Sequence, residues 1–582
     1  MMSPIEKMKL IPYGMTDFAS IIRNNYCYID KTRYIAEIER TVRFFFIVRP
    51  RRFGKSLFLN MLEYYYDCLA KDEFDELFGG LYVGTHPTSI RNSYLVLKMS
   101  FSGITANPEK MESSFNCYCG MMLKDFALKY ASFLSEDTLS AIQQADTAAN
   151  KLAALCLALK QKGLKMYLIL DEYDNFANNV LSSYGDSRYH ALTHGDGFLR
   201  DFLKVVKDHT DKVIERMYIT GVSPVTMDDL TSGFNIASNQ STNPVFNGMI
   251  GFTEMEVRSI LDYYIGQGRI THSADQLIEL MKPWYDNYCF SKACLEEAPM
   301  YNSDMVLYFV NSYLSRKMPP EQMLDSNVRT DYNKLRHLIR MDKSFGKNAS
   351  VIQEIITQGG TFGTIKDSFP AVEIAKTDNF KSLLFYYGML SINHVEMGDL
   401  FLAIPNLVVK EQLYGYLADV YKDVASLELD VSDLNQLMKR MAYFLEWENY
   451  FQYIANQLKA QSSIREFMEG EAHVKGFLLS YMGMNNYYMT FPEYEMNKGF
   501  SDFYLQPNLA QLPDLPYSYA IEVKYAHRDA NDSELEKLLE DARVQLTRYA
   551  ECPKVQAGKG TTQVIKIALV FRGWDLEKFV RI

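Results

Sequence analysis

The sequence predicts an α/β chain in three stretches: a parallel sheet with helices on both faces over residues 1–260, a mostly helical connector over 261–455, and a small α/β domain over 456–582. Three observations predict it. From residue 10 to about 260, short apolar strands alternate with longer helical stretches, the pattern of a parallel sheet wrapped by helices. From about 255 to 450, apolar residues recur mostly at helical spacing. From Ile464 onward the texture becomes helix, strands, helix, strand.

Taken in order, the first stretch has strands at Phe44–Val48, Tyr94–Phe101, Met166–Leu170 and Met217–Thr220, with helices at Leu57–Leu69 and Ala149–Lys162. Met255–Ile265, Asp275–Trp284 and Leu427–Glu446 are the clearest helices of the middle. In the last stretch the strands are Tyr487–Glu495, Phe500–Gln506, Tyr519–Lys524 and Val564–Phe571, with helices at Glu466–Met482 and Glu534–Tyr549.

Composition narrows the function class. Hydrophobic residues make up 48% and charged residues 23%, an ordinary globular balance that argues against wholesale disorder. A net charge of −11 rules out a histone-like polycation and leaves room for a local basic groove. No apolar run approaches the ~18 residues of a membrane span, and Met1–Pro12 lacks the apolar core of a signal peptide. The eight cysteines are scattered, with no paired zinc-ligand spacing, as expected for reduced thiols. The expected location is cytoplasmic, with no membrane partner.

The apolar strand Phe44–Val48 runs into Arg49-Pro-Arg-Arg-Phe-Gly54-Lys55-Ser56 and then a helix beginning at Leu57. Strand, loop, Gly-Lys-Ser, helix is the context of a phosphate-binding P-loop. Its backbone N–H groups cradle phosphates, Lys55 reaches the β/γ-phosphates and Ser56 holds Mg²⁺. Arg52, Phe53, Gly54 and Leu57 complete the candidate nucleotide contacts. Arg49 stands where the common pattern has glycine, so the first part of the loop must differ from the standard form. Arg51 and Arg52 either meet the γ-phosphate or are solvated loop charge.

Met166–Leu170 leads into Asp171-Glu172. An aspartate at that strand end can hold the Mg²⁺ shell, and the next glutamate can orient or deprotonate water. The strand Tyr94–Phe101 is expected to lie between the loop and these carboxylates. Thr220, with Ser223 just beyond, ends the last strand where a polar sensor of the γ-phosphate would sit. The alternative is a degenerate loop and a solvated strand end.

Ile11-Pro-Tyr-Gly-Met-Thr-Asp-Phe18, Tyr28-Ile-Asp-Lys-Thr32 and Arg49-Pro-Arg-Arg-Phe-Gly-Lys-Ser-Leu57 together resemble the bacterial AAA-ATPase-like family. Its members share the Arg-Pro-Arg-Arg-Phe-Gly-Lys-Ser form, so Arg49 is a trait of that family. Trp284-Tyr-Asp-Asn-Tyr288 and Tyr301-Asn-Ser303 resemble landmarks that follow its ATPase core. The resemblance implies a P-loop NTPase fold, ATP and Mg²⁺ as ligands, and a nuclease-superfamily domain at the C-terminus.

In that last stretch, Asp502 follows Gly499-Phe500-Ser501 at a strand start, and Ile521-Glu522-Val523-Lys524 lies on the next strand. Glu522 and Lys524 share one strand face, because the strand period is two. Two carboxylates on adjacent strands can share Mg²⁺ or Mn²⁺ through hard oxygen ligands. Lys524 can then position water or neutralise the transition state. The arrangement resembles the Asp…Glu-x-Lys cluster of the PD-(D/E)XK nuclease superfamily, whose domain has a restriction-endonuclease-like fold. That resemblance implies Glu471 as a helical acidic ligand and Gln545 with Tyr549 as a supporting Gln-x-x-x-Tyr element. Val474-Lys475 departs from the Tyr-His pair of many relatives. On its own, Glu-x-Lys is more often a surface ion pair.

His190 and His194 share helical spacing without an intervening glutamate and read as loop residues. Lys524, His527, Arg528, Arg543 and Arg548 can help line a nucleic-acid path near the second site or stand as plain surface charge. The sequence therefore predicts an ATP-binding, ATP-hydrolysing protein coupled to metal-dependent cleavage of DNA or RNA, with self-assembly into a homo-oligomer left open. The rivals are a nucleotide-switched binding protein with an inactive nuclease fold, and a pure ATPase with a structural C-terminal domain.

Overall fold

The computed structural model describes residues 8–105, 107–184, 197–229, 234–320, 322–324, 347–374, 376–425, 431–460, 470–483, 485–496, 499–509, 512–549 and 552–582. His190 and His194 lie outside them. The chain divides into two compact units, residues 1–341 with 362–405, and residues 342–361 with 406–582. The middle segment 261–455 is thus shared between the two.

The first unit is built on β1 (Phe44–Val48), β2 (Leu95–Ser100), β3 (Met166–Asp171), β4 (Ile214–Gly221) and β5 (Ser238–Asn239), in the order β2-β3-β4-β1-β5. Every pairing is parallel. All six residues of β3 are buried, as a strand covered on both faces requires. The strand inserted between the loop strand β1 and the carboxylate strand β3 is β4. The strand expected there, Tyr94–Phe101, is β2 and lies at the sheet edge. Its half-exposed Lys98 and Ser100 suit an edge, whereas Met217–Gly221 of β4 are buried throughout. Strand patterns alone carry little information about sheet order, which the crossovers set.

Helix α1 (Lys55–Tyr66) follows the loop directly. Further along, the two expected middle helices span Glu254–Gly266 and Ala274–Tyr285, each opened by a reciprocal capping box, Thr253 with Glu256 and Ser273 with Gln276. Two more helices complete the frame of the site, α2 (Ser303–Arg316) and α3 (Thr377–Tyr386). A hairpin of Ser391–Glu396 with Asp399–Ala403 was not evident from the helical texture of the middle stretch.

In the second unit the expected helix Leu427–Glu446 is present as Val431–Phe444, and residues 426–430 lie outside the described set. Helix α4 (Glu471–Met482) precedes a five-stranded sheet of β6 (Tyr488–Met496), β7 (Gly499–Pro507), β8 (Tyr517–Ala526), β9 (Gln563–Arg572) and β10 (Asp575–Arg581). The strands run in chain order, antiparallel except for the β8–β9 pair. That parallel pair needs a crossover, supplied by α5 (Asp532–Tyr549). Leu535, Leu539, Ala542 and Leu546 of α5 pack over Ala520, Ala568 and Val570 of the sheet. On the opposite face the Tyr519 hydroxyl donates to the Met441 carbonyl at 2.6 Å. The edge strand β10 escapes the sequence pattern because Asp575, Glu577, Lys578 and Arg581 break its apolar alternation, as edge strands often do.

Among the described residues no helix is long and apolar enough to cross a membrane, and none of the eight cysteines forms a disulfide.

Candidate functional site

In the first unit, the loop after β1 turns on two left-handed residues, Arg52 at φ +66° and Gly54 at φ +96°. Arg49 is not among the residues of positive φ, which explains why glycine is dispensable there. Its side chain turns inward and is 1% exposed. The guanidinium donates to the carbonyls of Val48 (3.0 Å), Ser241 (2.7 Å) and Phe246 (3.0 Å) and lies 4.2 Å over the Phe290 ring. Burial lowers its pKa to about 10. Arg49 therefore ties the loop to the segment after β5.

Lys55 is the first residue of α1, whose N-cap, Gly54, leaves the opening amides without a side-chain cap. Such a helix start favours anions through free N–H groups and the helix dipole. The Lys55 ammonium is buried and donates to the carbonyls of Arg49 (2.9 Å) and Pro50 (2.8 Å). Burial lowers its pKa to about 8, with Asp171 and Glu172 pulling the other way. Ser56 Oγ donates to Asp171 Oδ2 at 2.6 Å. Asp171 Oδ1 and the Thr220 hydroxyl are buried without a hydrogen-bond partner. The hydroxyl, the carboxylate and its unsatisfied oxygen fit a hard divalent cation held by Ser56 and Asp171. Glu172 sits at φ +49° beside them.

Lys55, Ser56 and Glu172 open onto a cavity of about 390 Å³, while Asp171 and Thr220 are buried behind its wall. Its volume is within the size range of small-molecule sites. Arg51, Arg52, Gly54, Lys55, Ser56, Leu57 and Glu172 line one part of it. Pro12, Met15, Tyr28, Met249, Ile250 and Leu307 supply an apolar part. The sequence pattern around the loop missed that apolar wall. Its signal was present in the segments Ile11–Phe18 and Tyr28–Thr32, which carried the family resemblance without a role.

The loop is braced by residues far along the chain. Phe53 is buried, its ring edge-on to Tyr288 (4.8 Å) and Phe290 (5.7 Å), and its carbonyl accepts from Gly251 N–H at 3.1 Å. A Cβ on Gly251 would come within 3.0 Å of that ring, and one on Gly388 within 2.7 Å of Pro50. Both glycines sit at positive φ. At the start of α2, Asp304 pairs with Arg52 at 3.4 Å, and its backbone N–H donates to the Arg52 carbonyl at 3.2 Å. Behind Glu172, the buried Asp174 accepts from the N–H groups of Val222 (3.2 Å) and Ser223 (2.8 Å), joining the ends of β3 and β4. Burial raises its pKa to about 6.

In the second unit, the β7–β8 register pairs Phe503 with Ile521. Carried one step further, it sets Asp502 opposite Glu522, so their side chains share one face. The Val523 N–H donates to Asp502 Oδ2 at 2.7 Å, and the Lys524 ammonium donates to Glu522 Oε1 at 2.8 Å. Both carboxylates are buried. Burial raises the pKa of each; at Glu522 the charge of Asp502 adds to it, and at Asp502 the ammonium of Lys475 opposes it. The donor chemistry fits a hard divalent cation at Asp502 and Glu522.

Glu471, the expected third ligand, begins α4 and reaches this pair through Lys475. The Lys475 ammonium contacts Asp502 Oδ1 at 2.6 Å and also pairs with Glu471 one helical turn back. Among the described residues no three His, Cys, Asp or Glu side chains are arranged to hold a metal together. Gln545 lies on α5 with its side-chain oxygen buried and unpartnered. Tyr549 closes that helix. His527, Arg528, Arg543 and Arg548 are exposed.

Residues 12–231 match the family model described as a predicted AAA-ATPase, and residues 469–579 match that of the PD-(D/E)XK nuclease superfamily. A curated relative from Azotobacter chroococcum mcd 1, named an uncharacterized protein in the vnfD 5' region, is 28% identical over 257 residues. That match covers 43% of this chain and 45% of the relative, so the chain spans about half the length of the relative it matches. Among solved structures, the Aeropyrum pernix Orc1 protein in complex with DNA aligns over 69% of this chain and 98% of its own, with 10% identity and a TM-score of 0.27. Cdc6p from Pyrobaculum aerophilum aligns over 72% and 97%, with 12% identity and a TM-score of 0.20. Likenesses this distant decide nothing about what the chain binds. On these matches, the chain joins a segment similar to the predicted AAA-ATPase family to a segment similar to the PD-(D/E)XK nuclease superfamily.

Proposed function

We propose that the chain binds and hydrolyses ATP in its first unit and cleaves DNA or RNA phosphodiesters in its second, with ATP regulating cleavage. The observation that carries this reading is that one chain holds both sites, the Ser56–Asp171 pair beside Lys55 and the cross-strand Asp502–Glu522 pair beside Lys524. In the first, Lys55 would exchange the carbonyls of Arg49 and Pro50 for the β/γ-phosphates. Ser56 and Asp171 would hold Mg²⁺, Glu172 would orient or deprotonate water, and Thr220 would meet the γ-phosphate. In the second, Asp502 and Glu522 would hold Mg²⁺ or Mn²⁺, and Lys524 would position water or meet the charge that develops on the phosphate. A metal bound there would supply water of lowered pKa and neutralise phosphate charge. The unpaired cysteines accord with a reducing, cytoplasmic setting.

The pairing of Lys475 with Asp502 favours one rival, a nucleotide-switched binding protein with an inactive nuclease fold. The experiment that separates them incubates purified protein with single- and double-stranded DNA and RNA, with Mg²⁺ or Mn²⁺, with and without ATP, beside Asp502→Ala. The expected result is metal-dependent cleavage that ATP alters and the variant lacks. ATP binding with no cleavage under any condition would replace the nuclease with the binding protein.

A further inference from the structure

We propose that Lys475 is a tethered cation that competes with the divalent metal for Asp502, and that metal loading requires its ammonium to move off that carboxylate. The inference rests on Asp502 and Glu522 being the metal-holding pair of the proposed nuclease.

The geometry supplies the argument. Asp502 has one oxygen on the Val523 N–H and the other on the Lys475 ammonium, at 2.7 and 2.6 Å. Glu522 is held by Lys524 at 2.8 Å. Three carboxylates, Glu471, Asp502 and Glu522, therefore face two ammonium groups. With the Lys475 ammonium on Asp502 that carboxylate's charge is largely cancelled; with the ammonium on Glu471 alone, Asp502 recovers its charge for a metal, and only Lys524 on Glu522 still opposes the ion within the pair. The Asp502 side chain is 10% exposed, so solvent screens this competition poorly.

Lys475 also has somewhere to go. Its second partner, Glu471, lies one turn back on the same helix and its side chain is 42% exposed. Leaving Asp502 would keep the lysine paired at the domain surface, so the movement is a change of partner rather than exposure of a lone buried charge. An anion that draws the ammonium off Asp502, such as a phosphate of bound nucleic acid, would admit the metal at the same moment.

The test is Mn²⁺ binding by the 582-residue chain, followed by electron paramagnetic resonance of the free ion without nucleic acid or ATP. Wild type is compared with Lys475→Met, which keeps the stem and removes the charge, with Lys475→Arg, which keeps the charge, and with Asp502→Asn in both the wild-type and Lys475→Met backgrounds. Lys475→Gln replaces the methionine variant if circular dichroism shows that it fails to fold. Lys475→Met should bind Mn²⁺ about tenfold more tightly or better, the scale of a lost charge-assisted competitor. Lys475→Arg should bind no tighter than wild type, and Asp502→Asn should remove the gain. Asp502-dependent binding of equal strength in wild type and Lys475→Met would overturn the inference and leave the metal site standing. Absence of Asp502-dependent binding in both would overturn the metal site and the inference together.

Discussion

Two lysines, one in each unit, are held in opposite ways, and the contrast separates a cation that is ready to bind from one that is already neutralised. Lys55 rests on two neutral carbonyls and lines a cavity. Lys475 rests on two carboxylates. Burial weakens the proton affinity of Lys55; burial acts on Lys475 too, but Asp502 and Glu471 outweigh it and raise its pKa. Carbonyls hold an ammonium without neutralising it, so an incoming phosphate gains the full charge interaction. Carboxylates cancel the charge, so an incoming metal must first break an ion pair.

The strongest way to break this comparison is Lys55→Ala. Removing a desolvated ammonium that faces bound phosphates should weaken ATP binding by about a hundredfold or more, on the scale of charged hydrogen bonds. Isothermal titration calorimetry reads it directly. The thermal midpoint of the nucleotide-free protein should fall only modestly, because the Arg49 and Pro50 carbonyls lose their donor while relief of a buried charge offsets part of that loss. Retained tight ATP binding would remove Lys55 from the site.

Arg49 sharpens the same comparison, since it too is a buried cation on carbonyls but is absent from the cavity lining. Arg49→Met should cost about 2 kcal/mol of stability, because the Ser241 and Phe246 carbonyls lose their donor while burial of the charge is relieved. ATP affinity of the folded fraction should change little. Denaturant melts and calorimetry on the same sample check both halves. A loss of affinity without loss of stability would place Arg49 among the phosphate contacts instead.

The same contrast explains what could be read in advance. The P-loop, Asp171-Glu172 and Asp502 with Glu-x-Lys stand out in the sequence because each is a short local motif at a strand end, a helix start or one strand face, although 115 residues separate Ser56 from Asp171. The loop's supports do not. Tyr288, Phe290, Ser303, Asp304 and Gly388 reach the loop from more than two hundred residues downstream, through ordinary aromatic packing and close backbone approach that no local pattern marks. Sheet order was misread for a related reason: periodicity reveals that Ile214–Gly221 is a strand, whereas the crossovers decide that it lies beside β1. In the sequence, Lys475 stands out only as a departure from a family pattern. Its partner Asp502 comes from another element, and helical spacing shows only the link to Glu471.

The smallest effect is a proton. In the nucleotide-free protein, burial sets the Lys55 pKa at about 8 against an ordinary 10.5. A lowered lysine pKa favours the neutral form in the fold, so this group's contribution to stability is fully present above about 10.5 and is lost as pH falls through about 8. Phosphate in the cavity would favour the charged form and reverse that preference. ATP binding should therefore take up a proton when the pH exceeds about 8, and affinity should fall by up to about tenfold per pH unit above it, the limit for one coupled proton. Titrations at pH 7 and 9 in buffers of different ionisation enthalpy count the proton: near zero at the lower pH, approaching one at the higher. Lys475 gives the control. Because two carboxylates already hold its charge, Lys475→Met should leave the proton count of ATP binding unchanged. Proton uptake that survives in a Lys55 variant retaining measurable ATP affinity would locate the titrating group elsewhere in the cavity.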